Sequence, residues 1–134
     1  KFIEIKNLES PIEQAKEFDY VETIANRRRP IRGIHAANQQ QRALAQRVAI
    51  NSVVQGSAAD LIKVAMNNVH TALLDLFPES QLLLQIHDEL LIETPESDAN
   101  AVLELLVHVM ESAMDLDVPI VADATIGSNW FECK

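Results

Sequence analysis

Cysteine is almost missing from this sequence: Cys133, next to the C-terminus, is the single one in 134 residues. One thiol excludes a disulfide framework and a Cys-rich zinc site, and it fits a reducing, cytosol-like compartment. No apolar run approaches the roughly 20 residues of a membrane-spanning helix, although 48% of the residues are hydrophobic. That length and composition describe a soluble globular chain able to bury a core without staples. The N-terminus, KFIEIKNLES, lacks both a starting Met and the apolar centre of a signal peptide, so residues 1–134 read as one partial domain cut from something longer. Internal repeats and low-complexity tracts are absent too.

Charge of one sign is missing from two long stretches. Residues 23–59 hold no acid, and residues 64–133 hold no Lys or Arg. The net charge of −9 argues at first against a polyanionic partner. Yet Arg27, Arg28, Arg29, Arg32, Arg42 and Arg47 all fall inside the acid-free stretch. An arginine-rich patch on an otherwise acidic body suggests a local anion-binding face. A solvated arginine loop over residues 27–32 explains the same pattern.

The sequence is organised around residues 81–93, QLLLQIHDELLIE. Two apolar runs flank His87, Asp88 and Glu89, Pro78 breaks the chain before them and Thr94-Pro95 after them. Periodicity does not separate a buried strand from a buried helix here, but the flanking breaks and the hairpin-sized polar insert favour strand, tight turn, strand. Such a turn projects Asp88 from rigid elements, as a metal-ligand or acid/base carboxylate requires. A His-Asp-Glu turn that merely solvates a hairpin tip is the plainer reading, since Asp is a common turn residue.

The remaining elements follow from local signals. Ser10-Pro11-Ile12-Glu13 places an N-cap, a proline and an acid where a helix starts, and that helix runs to Phe18. Residues 20–24 alternate as a strand, and residues 27–32 read as a loop. From Asn38 the pattern is helical to Phe77, with a break or kink expected at Gln55-Gly56-Ser57, giving two helices or one long bent one. A further helix starts at Thr94 or Ser97 and stops near Leu116. Residues 119–126 form a last strand. This order predicts an α+β fold, an antiparallel sheet packed against helices.

On the central helix Arg47, Asn51 and Gln55 stand four residues apart and therefore share a face. All three side chains donate hydrogen bonds and none is acidic. Such a row suits an acceptor-lined ligand like the DNA minor groove, where purine N3 and pyrimidine O2 recur at every base pair. An ordinary solvated stripe has the same spacing.

Taken in order, residues 47–60, RVAINSVVQGSAAD, and residues 85–89, QIHDE, resemble the C-terminal palm of family A DNA polymerases, the bacterial DNA polymerase I type. That family reads R-x-x-I-N-x-x-x-Q-G-[ST]-A-A-D and then Q-[IV]-H-D-E, and the likeness extends from Pro11 to Trp130. The resemblance implies a palm-type sheet and a DNA-directed DNA polymerase that extends a primer 3′ end by two-metal nucleotidyl transfer with Mg²⁺. It implies that Asp88 is one of two metal-binding aspartates and Glu89 a supporting catalytic acid. His87, with Arg47, Asn51 and Gln55, would line the primer–template minor groove, and Arg27, Arg28 and Arg29 would meet backbone phosphate. A bacterial cytoplasmic, nucleoid-associated enzyme without membrane attachment is implied as well. Ala25-Asn26 and residues 30–33 depart from the family pattern around the triple arginine, and residues 1–10 match it poorly. The second aspartate, in D-[YF]-S-x-[IL]-E, and the fingers residues that bind deoxynucleoside triphosphates have no counterpart in the sequence. The segment alone is therefore expected to be inactive. A non-catalytic nucleic-acid-binding module, or a degenerate remnant, is the alternative.

Overall fold

A computed structural model describes residues 10–133. The chain divides into two compact units, Lys1–Asp60 and Leu61–Lys134. In the first unit, helix α1 spans Pro11–Phe18. It starts where the proline's missing N–H costs nothing, and Asp19 ends it in the left-handed conformation with its N–H on the Ala15 carbonyl. Strand β1, Tyr20–Glu22, pairs antiparallel with β2, Arg28–Pro30, so that Tyr20 faces Pro30 and Glu22 faces Arg28. Residues 27–32, expected to be a loop, thus contain a strand. Its stability comes from cross-strand partners that composition does not reveal. Arg28 Nε donates to Glu22 Oε1 at 2.8 Å, and the guanidinium lies 4.7 Å from the Tyr20 ring centre.

Helix α2 covers Gln39–Leu76 and contributes residues up to Asp60 to the first unit and those from Leu61 to the second. The Asn38 side chain accepts from the Gln40 and Gln41 N–H groups and so caps its start. Ala45, Ala49 and Val53 repeat four residues apart and pack with Ala15, Val21, Ile31 and Ile34 into the core of the first unit. Helical structure continues through residues 55–57, which excludes two separate helices and leaves the single long helix of the two expectations. Gly56 serves a different purpose there. A Cβ on it would lie 2.5 Å from Thr23 Cγ2, so the missing side chain lets the β1–β2 turn approach the helix.

In the second unit, β3 (Gln81–Ile86) and β4 (Glu89–Glu93) form the expected hairpin, closed by the two residues His87 and Asp88. The register slips between Leu82 and Leu84, leaving Leu83 as the extra residue of a bulge. Ser80 and Thr94 hydroxyls meet at 2.7 Å and tie the hairpin base. Helix α3 spans Ala99–Glu111. Its Val102, with Val69 and Leu73 of α2, forms a core on which Leu82, Leu90, Ile92, Leu105 and Leu106 pack. The helix starts later than Thr94 or Ser97 and stops before Leu116. Ser112 ends it, donating its hydroxyl to the His108 carbonyl at 2.7 Å. The strand expected over 119–126 does not form. Its residues join no ladder among the described residues, and Val121 and Ile126 are exposed. The described residues form a mixed helix-and-strand fold with two small antiparallel sheets, as the α+β reading expected.

Gly56→Ala should lower stability although alanine favours a helix by about 1 kcal/mol. The intruding methyl meets a buried, β-branched Thr23 that cannot step aside, which costs about 1–3 kcal/mol. Urea unfolding checks this, and unchanged or increased stability would contradict it.

Candidate functional site

The hairpin tip presents three polar side chains. His87 takes a left-handed backbone, φ 55°, which closes the two-residue loop. Its carbonyl accepts from Gln85 Nε2 at 2.5 Å, bracing the turn from within β3. His87, Asp88 and Glu89 are all exposed, and neither carboxylate takes a hydrogen bond from any described residue. The sequence expectation that a tight turn projects Asp88 from paired strands therefore holds.

An unhindered carboxylate is a hard oxygen donor of the kind Mg²⁺ takes. Among the described residues, however, no group of three or more His, Cys, Asp or Glu side chains could hold a metal ion. Asp88 and its neighbour Glu89 thus fit as contributors to a metal site and not as a complete cage.

The donor row lies in the first unit. Arg47, Asn51 and Gln55 are exposed on α2, well around the helix from the buried Ala45, Ala49 and Val53. Among the described residues their side chains make no hydrogen bond or ion pair, so all three are available to an outside acceptor.

The triple arginine divides by partner. Arg27 Nε donates to Asp60 Oδ1, its Nη2 donates to the Gly56 carbonyl at 3.0 Å, and its N–H donates to Thr23 Oγ1 at 3.2 Å. Arg28 holds Glu22, whose hydrogen bond and charge, with Tyr20, raise the arginine's pKa. Arg29 is exposed and makes no such contact among the described residues.

Sequence reasoning passed over Asp60, the first acid after the acid-free stretch. It is 5% exposed and also receives the Thr23 hydroxyl. One helical turn earlier, Ser57 Oγ accepts the Ile24 N–H at 3.0 Å. Residues 56–60 therefore form one receptor for the turn at residues 23–27. Burial, the largest single influence on Asp60, pushes its carboxyl up. The Thr23 hydrogen bond, then the Arg27 hydrogen bond and charge, with a backbone N–H at Ala25, outweigh burial and hold it below the ordinary carboxylate value. The spacing of Gly56, Ser57 and Asp60 on one helix was the available signal; their partners, 29 to 37 residues upstream, were not visible.

Comparison with solved structures defines the class first. The POL domain of Pol1 from M. smegmatis, in complex with DNA primer-template and dNTP, matches 81% of this chain and 19% of its own at TM-score 0.75 and 44% identity. The fold is that of part of a polymerase domain. A family model described as DNA polymerase family A matches residues 1–132, and the chain belongs to that family. That match extends past the resemblance read from Pro11 to Trp130, at both ends. DNA polymerase I of Lactococcus lactis subsp. cremoris (strain MG1363) is 41% identical over 127 residues, 95% of this chain and 14% of the relative. DNA polymerase I of Streptococcus pneumoniae serotype 4 (strain ATCC BAA-334 / TIGR4) is 40% identical over 135 residues, 100% of this chain and 15% of the relative. The chain thus spans about one seventh of the length of these relatives. No helix among the described residues is long and apolar enough to cross a membrane.

The lowered Asp60 carboxyl has a defined pH signature. Its stabilisation is complete above the ordinary carboxylate value of about 3.9 and is lost as pH falls through the lower native value. The stability advantage of the natural protein over Asp60→Asn should hold at neutral pH and shrink as pH drops below about 3.9. Denaturant midpoints over an acid series measure it, and a gap that stays constant or widens on acidification would contradict the assignment.

Proposed function

We propose that this chain is the C-terminal palm portion of a DNA-directed DNA polymerase that adds deoxynucleotides to a primer 3′ end, with Asp88 as one of the aspartates that hold its catalytic metal ions. The observation that carries this reading is the placement of Asp88, in a family A chain, at a braced two-residue turn with its carboxylate free of partners among the described residues. Bound Mg²⁺ supplies a Lewis acid that lowers the pKa of the primer 3′-hydroxyl and offsets charge on the transferring phosphoryl group.

The residues of this chain do the positioning. Asp88 directs a hard oxygen donor outward from paired strands, and the bracing of the turn limits the rearrangement needed on binding. Glu89, the next residue, adds negative charge beside that ligand and supports the site. His87, Arg47, Asn51 and Gln55 offer donors to the acceptor atoms that recur at every correctly formed pair in the minor groove. They would respond to pair geometry and not to sequence. On the exposed strand β2, Arg29 carries the charge that meets phosphate, while that of Arg28 is offset by Glu22. Primer–template DNA and deoxynucleoside triphosphates are the partners. The second aspartate and the triphosphate-binding residues come from the longer protein, so the segment alone is inactive.

The test is primer extension by the polymerase that carries this segment. Asp88→Ala should reduce extension to below roughly one-hundredth, because even residues that only support a metal ligand cost about 10–100-fold when removed. Primer–template affinity should change little. Extension retained near the natural rate would defeat the metal assignment.

A further inference from the structure

The three consecutive arginines look equivalent in sequence but have different surroundings. Arg27, although its side chain is 52% exposed, commits two of its three guanidinium nitrogens to protein acceptors, Nε to Asp60 and Nη2 to the Gly56 carbonyl. Asp60 is buried, and its other oxygen takes the Thr23 hydroxyl. Releasing Arg27 to a phosphate would leave a buried carboxylate short of its cation, an arrangement that costs far more than a surface contact returns. Arg28 is tied to Glu22 and Tyr20. Arg29 is the member of the triplet with no hydrogen bond or ion pair among the described residues.

We propose that Arg27 is a positioning residue and not a DNA ligand: with Asp60 and Thr23 it latches the β1–β2 turn onto α2 at Gly56, leaving Arg29 as the arginine of the triplet that neutralises a phosphate. The latch has three attachments that no single side chain replaces. Thr23 and Arg27 grip Asp60 from the two ends of the turn, Ile24 N–H rests on Ser57, and Gly56 admits the close approach. Arg29 follows Arg27 by two residues on the strand that leaves the turn, so a fixed turn fixes where its backbone enters the exposed surface. Gln55, a member of the donor row, adjoins Gly56, where the turn is seated. The latch itself stands on intramolecular geometry; the role of Arg29 rests on the proposed DNA-binding function.

Lysine separates the two roles. A phosphate contact accepts its point charge, whereas a latch that uses two guanidinium nitrogens at once does not. In the polymerase that carries this segment, primer–template affinity is measured across a salt series and amide exchange is followed over residues 23–30. The variants are Arg27→Lys, Arg27→Gln, Asp60→Asn and Arg29→Gln. Arg29→Gln should flatten the slope of log affinity against log salt by about 0.9, the loss of one phosphate contact, with exchange unchanged. Both Arg27 variants and Asp60→Asn should keep the natural slope while the turn exchanges roughly tenfold faster. If Arg27→Gln does not fold, Arg27→Lys and Asp60→Asn carry the test. A slope flattened by Arg27→Gln and restored by Arg27→Lys would overturn the positioning role, as would turn exchange unchanged in all three latch variants. An unchanged slope in Arg29→Gln would overturn the phosphate assignment. The polymerase reading fails separately, on the Asp88→Ala extension assay.

Discussion

A carboxylate taken out of water must be paired, and the pairing of Asp60 determines the layout of the first unit. Its two oxygens are divided between Thr23 and Arg27, so one acid on a helix holds both ends of a five-residue turn. The turn in turn requires Gly56 to lack a side chain and gives Ser57 a backbone N–H to accept. Once the turn is seated, β1 and β2 pair and Val21 reaches the core beside Ala49 and Val53. Those buried positions recur on one side of α2, which leaves Arg47, Asn51 and Gln55 on the exposed side. The same helix therefore carries a fold contact and a candidate ligand face without conflict between them.

The second unit solves a different problem. A short hairpin is marginal by itself and needs a helix to cover one face. Leu82, Leu90 and Ile92 provide that contact against Val69 and Leu73 of α2 and Val102 of α3. Burial at one end of the hairpin permits polarity at the other. His87 and Asp88 sit where the strands reverse, far enough along the ladder to be exposed yet fixed by it. Membership of DNA polymerase family A gives that exposed carboxylate its proposed chemistry, because a metal-ion site needs a donor that is rigid in backbone and free in side chain.

Much of this was legible from local sequence. Proline and an acid after Ser10 marked α1, and two short apolar runs around a polar insert marked the β3–β4 hairpin and Asp88 at its tip. The four-residue spacing of Arg47, Asn51 and Gln55 was enough to put them on one exposed face. Apart from the ends of α3, which local contacts set, the errors share a cause: each depended on a partner distant in sequence. Gly56 announces a missing side chain but not the Thr23 methyl that needs the space, so it read as a break. Residues 28–30 lack an apolar alternation, and their strand depends on Glu22, Tyr20 and the backbone of β1. Residues 119–126 have the alternation of a strand, but alternation does not supply a neighbour to pair with. Asp60 stayed inconspicuous because its partners lie 33 and 37 positions away.

The central claim is that Asp88 is a metal ligand in a polymerase site completed by the longer protein. Ferrous ion, which accepts the same carboxylate oxygens as Mg²⁺, cleaves nearby backbone when ascorbate and peroxide are added. With primer–template bound to the polymerase that carries this segment, cleavage should map to the turn at His87 and Asp88, be suppressed by excess Mg²⁺, and disappear in Asp88→Asn. Cleavage absent from the hairpin, or equally strong in Asp88→Asn, would contradict the account.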